Sequence, residues 1–425
     1  MRNIMNQRST YRAIHMLKIK LEPRYDFFKY LWIFIIFPKP IQLAILLVFS
    51  GLMYITDKTL LKRNICSVCL VIVICIQTLA IITDLIRNPG DVNRAPAAFN
   101  TLMLWVVAIV FYTFYYKKDI DLSRIGKYCV WNLIVNFLLS AVAFVEYYVR
   151  HIPEMAFCGR MLYGTTWLNG HPTVKCFALN DFSNMNLLYI MLQLMVAAFY
   201  LDKKSKIKKA FVIICASFSV WMIHSRTGMV VFTLAIVVYI ISQFPKKYKK
   251  AFVIFIVFLA TMIATLEFKN IYNFFYSKIL FGNVSSTEYR VDLQFTSIRT
   301  MLRESPLIGI GIKRIFRPGE AFVAYLGSHS TYIGLLYKIG MCGFLFGMIA
   351  VLYPPITVLY KYRHNYYLKQ IWGIIIACLI TLFLEDVDGS NWLIIFYFSI
   401  FQIIYFNIHK GNSKWTNLST QPQKF

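Results

Sequence analysis

The sequence predicts an all-α fold, a polytopic bundle of about 11–12 membrane-spanning helices with one large loop outside the membrane. Three observations predict it. Of 425 residues, 58% are hydrophobic and only 15% charged, against about 25% charged in a typical soluble domain. Apolar runs long enough to cross a hydrocarbon core about 30 Å thick recur along the chain. The basic residues behind the net charge of +26 sit in short clusters between those runs, the positive-inside pattern of a multi-pass protein. A water-soluble core of this size could not hide so much apolar surface. Nor does any basic patch interleave with aromatics outside the apolar runs, which disfavours a nucleic-acid partner.

From the N-terminus, a basic stretch (Arg2 to Arg24) precedes the first apolar run and lacks a small-residue cleavage site, so no removable signal peptide is expected. Residues 27–37 are apolar but short, and Pro38 and Pro40 interrupt them; they read as a half-span or the start of a kinked helix. The candidate spans are 41–56, 65–82, 99–116, 128–149, 183–201, 210–224, 228–244, 251–266, 331–358, 370–384 and 392–408. The chain therefore reads as a single integral membrane domain over 1–425.

Orientation follows from charge. The clusters at 117–127, 202–209, 245–250 and 361–369 belong in the cytoplasm, and successive clusters bracket an even number of spans. Five segments then face outward: 83–98, the smaller loop 150–182, the turn near 225–228, the large loop 267–330, and 385–391. A loop as long as 267–330 is uncommon and often functional. Its many arginines read either as a solvated surface or as ligands for an anionic substrate. Within it, 290–304 reads as an amphipathic helix with Val291, Phe295, Ile298 and Leu302 on one face. Asp292, Arg299 and Arg303 lie on a neighbouring polar face. The GIGIK stretch (309–313) is a glycine-containing turn without a phosphate-loop signature.

Two positions outside this helix draw attention. Arg226 sits in HSRTG (224–228), a turn joining two spans with almost no linker. An arginine at the membrane surface either snorkels or acts, and its outward side runs against the positive-inside trend. His329, in GSHSTY (327–332), lies where the large loop re-enters the membrane, and a neutral imidazole there can accept a proton near neutral pH. The acidic turn EDVDGSN (385–391) reads as solvated, with a carboxylate serving as base or sugar ligand as the alternative.

Of nine cysteines, Cys158 and Cys176 alone fall in an outside segment and are the candidates for a disulfide. The pair at 66 and 69 lies within a span and reads as packing. No set of residues has zinc spacing, so no metal or other cofactor is expected, and no nucleotide-binding loop points to an ATPase.

The order of these motifs resembles the bacterial O-antigen ligase and polymerase superfamily, whose members join polysaccharide units carried on polyprenyl diphosphate. The matching pieces are SRTG (225–228), EYR (288–290), SPLIGIGIK (305–313) and SHSTYIGLLYKIGMCGFL (328–345). The segment CFALNDFSNMNLLYIML (176–192) resembles the family's polar approach to a middle span. The resemblance covers about 180–350, and it departs from the family in having Ser330 where Asn commonly follows the histidine.

The resemblance implies a C-type glycosyltransferase fold and a metal-independent transfer on the outer face of a bacterial cytoplasmic membrane. It makes Arg226 and Arg290 diphosphate ligands, with guanidinium forks matched to phosphate oxygens, and puts His329 beside the reacting groups as proton acceptor or diphosphate ligand. Arg299, Arg303 and Ser330 are further substrate-binding candidates. The expected activity is polymerisation of lipid-linked oligosaccharide repeat units into capsule, exopolysaccharide or O-antigen. The expected partners are that lipid-linked oligosaccharide, membrane lipid, and the flippase and chain-length regulator of the same pathway. A ligase delivering finished glycan to lipid A-core or protein is the near alternative; the composition and the lack of an added C-terminal domain favour the polymerase. A flippase is the alternative from another class, against which the one-sided clustering of candidate residues counts.

Overall fold

The computed structural model describes residues 22–56, 64–116, 118–168, 171–202, 204–243, 284–317, 324–361 and 366–416. Apolar runs without charges become helices because, in lipid, every backbone polar group must be satisfied within the segment. Among the described residues there are 13 α-helices. The first two are short, α1 (Pro23–Lys29) and α2 (Leu31–Ile36), and they meet at Tyr30. Phe37 is extended, as the residue before a proline tends to be, and α3 (Lys39–Thr56) follows.

The remaining helices are α4 (Ile65–Arg87), α5 (Ala95–Phe114), α6 (Leu122–Phe144), α7 (Ser183–Leu201), α8 (Lys206–Ile223), α9 (Arg226–Gln243), α10 (Val284–Glu304), α11 (Thr331–Lys361), α12 (Tyr366–Thr381) and α13 (Asn391–Thr416). Every predicted span corresponds to one of them except 251–266, which lies outside the described residues with the cluster at 245–250 and the start of the large loop. Five helices, α4, α5, α6, α7 and α11, with short extensions at some ends, are long and apolar enough to cross a membrane alone. The protein is thus an all-α multi-pass membrane protein.

The two ends of the bundle differ in chemistry. At one end, the backbone N–H of Ile120 donates to Asn407 at 3.1 Å, Arg124 pairs with Glu22 at 2.8 Å, and Lys361 reaches Tyr405 at 2.8 Å. At the other end, Lys39 donates to the Gly389 carbonyl at 3.0 Å, just before α13 begins. The α1–α2 segment therefore passes from the Glu22 end to the Lys39 end.

Helix α7 is the central post, buried along nearly its whole length and packed on α6, α8 and α12. Amides tie it to α6: Asn132 to Gln193 at 3.3 Å and Asn136 to Asn186 at 2.7 Å. Such bonds between spans replace water that the bilayer withholds.

The smaller outside loop folds as an antiparallel sheet of β1 (Met155–Phe157), β2 (Arg160–Leu168) and β3 (His171–Cys176). This sheet corrects the expected disulfide, because Cys158 and Cys176 are both free. Cys158 sits exposed in the β1–β2 turn. Cys176 is buried opposite Tyr163, three residues beyond the Phe157–Arg160 pair. That offset is roughly 10 Å of strand, beyond the reach of an S–S bond. The Cys176 thiol instead neighbours Ser140 at 3.8 Å and the Leu162 carbonyl at 3.6 Å.

A second correction concerns α10. Its buried side is Leu293, Ser297 and Met301, whereas Val291, Phe295 and Leu302 are exposed. Ser297 sits at the heart of the contact, because its hydroxyl accepts from the Gly327 N–H at 2.8 Å. Polar bonding thus chose a different face from the one hydrophobicity marked.

Candidate active site

The SPLIGIGIK stretch is held by a break in a membrane helix. At Gly340, α11 leaves helical geometry with φ +62 and ψ −171, a backbone region that is essentially glycine's alone. The break frees carbonyls and N–H groups that must find partners, and the loop supplies them. Ile310 and Gly311 donate to the Tyr337 and Lys338 carbonyls at 2.9 and 3.0 Å, and Met341 and Cys342 donate to Pro306 and Leu307 at 2.9 and 3.1 Å. Gly309, at φ +79, permits the close approach: a Cβ there would lie 2.4 Å from Gly340 N. This lock delivers two adjacent cations. Lys313 pairs with Asp386, and Arg314 bridges Asp84 at 2.7 Å and Glu304 at 2.6 Å.

The acidic turn 385–391, read from sequence as solvated, is buried, and each carboxylate has a partner drawn from another element. Glu385 Oε1 accepts from Asn184 of α7 at 2.6 Å. Asp386 takes Lys313 and the Ser330 N–H. Asp388 takes Lys338 and the Trp105 indole at 3.2 Å. The turn is also fastened to the start of α11: Thr331 N–H and Oγ1 donate to the Glu385 carbonyl at 3.0 and 2.6 Å, and Val387 N–H donates to Thr331 Oγ1 at 2.8 Å.

Asp181 makes the third fastening. It pairs with Arg160 of β2, accepts from Ser390 at 2.8 Å and lies 3.5 Å from Lys39. This network anchors the three-stranded sheet over the acidic turn. Alternation along β3 then buries Val174 and Cys176 on one side and turns Lys175 to the other.

His329 stands where these pieces meet. Its φ of +61 is unusual for a residue with a side chain and costs on the order of 1–3 kcal/mol, a strain that collects at functional positions. The ring lies 6.0 Å from that of Phe182. Burial first, then the Arg290 charge, with Lys313 and Lys175 adding and Asp386 opposing, pushes the imidazole down to about 4, so the ring is neutral near pH 7.

Arg290 also acts on two other groups. Lys175 is pushed down by burial and then by Arg290. Glu385 is pushed up to about 7 by burial, against the Asn184 bond and the charges of Arg290 and Lys175. Neither Arg290 nor Lys175 makes a side-chain hydrogen bond or ion pair among the described residues. Arg290 and Lys175, with Glu385 as the carboxylate acting on Lys175, place positive charge around a neutral histidine, a setting suited to an anion.

The sequence-derived candidates distribute unevenly. His329 and Arg290 come together. Arg226 begins α9 after a turn at His224, which has φ +50; its side chain lies outside the described residues. The turn is packed near Leu187, one helical turn from Asn184. Arg299 and Arg303 are exposed on α10, about 14 and 20 Å along the axis from Arg290, and do not join the cluster.

Ser330 is buried as the N-cap of α11, its Oγ accepting from Ile333 N–H at 3.4 Å. Its N–H donates to Asp386 at 3.3 Å, so the residue borders the cluster while its hydroxyl caps the helix. Asn and Ser cap about equally well, so the departure at this position is conservative. Lys175, Asn184 and Glu385 were missed as a group, because only the fold joins β3, α7 and the acidic turn. The one visible signal was three carboxylates between two apolar runs.

Residues 211–348 match the family model described as O-antigen ligase, which supports the resemblance to the O-antigen ligase and polymerase superfamily. The matched segment contains Arg226, Arg290, the glycine lock and His329. No curated protein matches the chain.

Proposed function

We propose that the protein is a membrane glycosyltransferase that polymerises polyprenyl-diphosphate-linked oligosaccharide repeat units on the outer face of the bacterial cytoplasmic membrane. The observation that supports this reading is the placing of Arg290 and Lys175, neither with a side-chain hydrogen bond or ion pair among the described residues, around neutral His329. A glycan on a lipid diphosphate brings an anion whose charge grows as it leaves, and fixed positive groups in a dry site stabilise that charge. Arg290 and Lys175 hold the diphosphate, with Arg226 joining from the start of α9. The exocyclic bond to the diphosphate is the energy source, so no nucleotide is consumed. The product is a longer glycan on one carrier and a freed polyprenyl diphosphate.

A second reading, a ligase that moves finished glycan to lipid A-core or protein, is favoured by the description of the matched family. Both reactions use the same anion pocket and differ in the acceptor. The test is glycan length in cells with an intact pathway carrying Arg226→Ala, Arg290→Ala or His329→Ala at normal membrane abundance. A polymerase predicts loss of long glycan with single lipid-linked units accumulating on the outer face. Long glycan retained on its carrier selects the ligase. Units accumulating on the inner face select a flippase, and three variants with wild-type glycan overturn the site.

A further inference from the structure

Transfer of a sugar to a hydroxyl requires a group to take the hydroxyl's proton, and four buried carboxylates surround the site. Three are committed. Asp386 is held by Lys313 and the Ser330 N–H, Asp388 by Lys338 and Trp105, and Asp181 by Arg160 and Ser390. Glu385 differs. Asn184 fixes Oε1 at 2.6 Å, while Oε2 has no hydrogen-bond partner among the described residues. The backbone of Glu385 is pinned to Thr331, two residues from His329. One oxygen anchored and the other open is the geometry of an oriented proton acceptor. The same Arg290 and Lys175 charges act on Glu385 and on His329, so both side chains lie near the same two cations.

We propose that Glu385 accepts the proton of the acceptor sugar's hydroxyl, and that His329 serves the diphosphate side of the reaction. The assignment rests on the transferase reading above. In the step, the acceptor oxygen forms a bond to the anomeric carbon of the donor. The bond from that carbon to the diphosphate oxygen breaks, and its electron pair leaves with the diphosphate. The hydroxyl proton passes to Glu385 Oε2 and then to water.

His329 is poorly placed for the proton, because Arg290, Lys313 and Lys175 all oppose a positive charge on its ring. A neutral ring donates well to a phosphate oxygen. The groups facing Glu385 are Asn184, Arg290, Lys175 and Asp386, and together with burial they hold its proton affinity near neutrality, where a general base works best.

The experiment uses the purified full chain in detergent and, as probe, the lipid extract of cells lacking this chain, which holds the unpolymerised lipid-linked units. Transfer rate is followed from about pH 5.5 to about pH 9 for wild type, E385Q, E385D and R290A, each checked for thermal stability. The proposal predicts a wild-type rate that rises as a group near pH 7 loses its proton. E385Q should lower kcat by roughly a hundredfold or more and lose that limb with the donor KM unchanged. E385D should restore part of the rate, and R290A should raise the donor KM. An E385Q rate within about tenfold of wild type, with the limb retained, overturns the assignment while leaving the transferase reading intact. A wild type that converts none of the units overturns the transferase reading, and the assignment falls with it.

Discussion

Beneath the site, Lys338 of α11 and Asp388 form an ion pair, with side chains 4% and 2% exposed, and the Trp105 indole donates to the same carboxylate oxygen at 3.2 Å. Breaking a buried pair by removing one partner costs about 3–5 kcal/mol, because the survivor keeps its desolvation penalty. After Lys338→Met, Asp388 still has Trp105, and Lys313 nearby still offsets its charge, so the loss should fall at the low end, about 3 kcal/mol. Asp388→Leu strands an ammonium among apolar spans and orphans the indole N–H, so about 5 kcal/mol is expected. The double variant Lys338→Met/Asp388→Leu removes both charges and leaves only the indole unpaired, at about 1–3 kcal/mol. It should therefore be more stable than Asp388→Leu by about 2 kcal/mol or more, despite carrying an additional substitution. Thermal unfolding of purified protein in detergent checks this. If the double variant unfolds below both single variants, the losses add, and the pair is not the coupled unit described.

Other outcomes follow from the same geometry. Gly340→Ala would force a side chain into a glycine backbone region, with Cβ 2.4 Å from the Leu307 carbonyl; a loss of about 3 kcal/mol or more is expected, against none for Gly51→Ala, where nothing lies within 4 Å. Thiol labelling without reductant should modify Cys158 and spare Cys176, and prior reduction should not change the yield; a reduction-dependent yield would restore the disulfide. Because folding raises Glu385 to about 7, above about 4.3 for an unperturbed glutamate, the folded state binds the proton more tightly. Its contribution is complete at acid pH and is lost as pH rises through about 7. Glu385→Gln should match wild type in melting temperature near pH 5 and exceed it near pH 8, and an equal gap at both values would contradict the shift.

Most of the helical fold was legible because lipid imposes a simple code: apolar runs become helices, and basic clusters mark one side. The same code explains why the α1–α2 segment was read as either a half-span or a kinked helix, since its run is short and broken at Tyr30 and Pro38. Arg290 and His329 were singled out through motif order. Lys175 and Glu385 were not, because their meaning comes from partners 115 and 95 residues away (175 to 290, and 290 to 385). The acidic turn was misread for the same reason. A carboxylate run looks solvated until Asn184, Lys313 and Lys338, scattered over three elements, are seen to enclose it. On α10, hydrophobicity alone pointed to the wrong face, because Ser297 buries itself through a hydrogen bond that residue type does not announce.

The most direct test of the central claim is the carrier balance in a purified system. Full-length protein would be reconstituted in liposomes with the lipid-linked units from cells lacking the chain, without any nucleotide. Freed polyprenyl diphosphate and glycan length would be measured together. The account predicts longer glycan with one diphosphate carrier released for each new linkage, and loss of both in Arg290→Ala. Units that change leaflet but neither lengthen nor release carrier would contradict it.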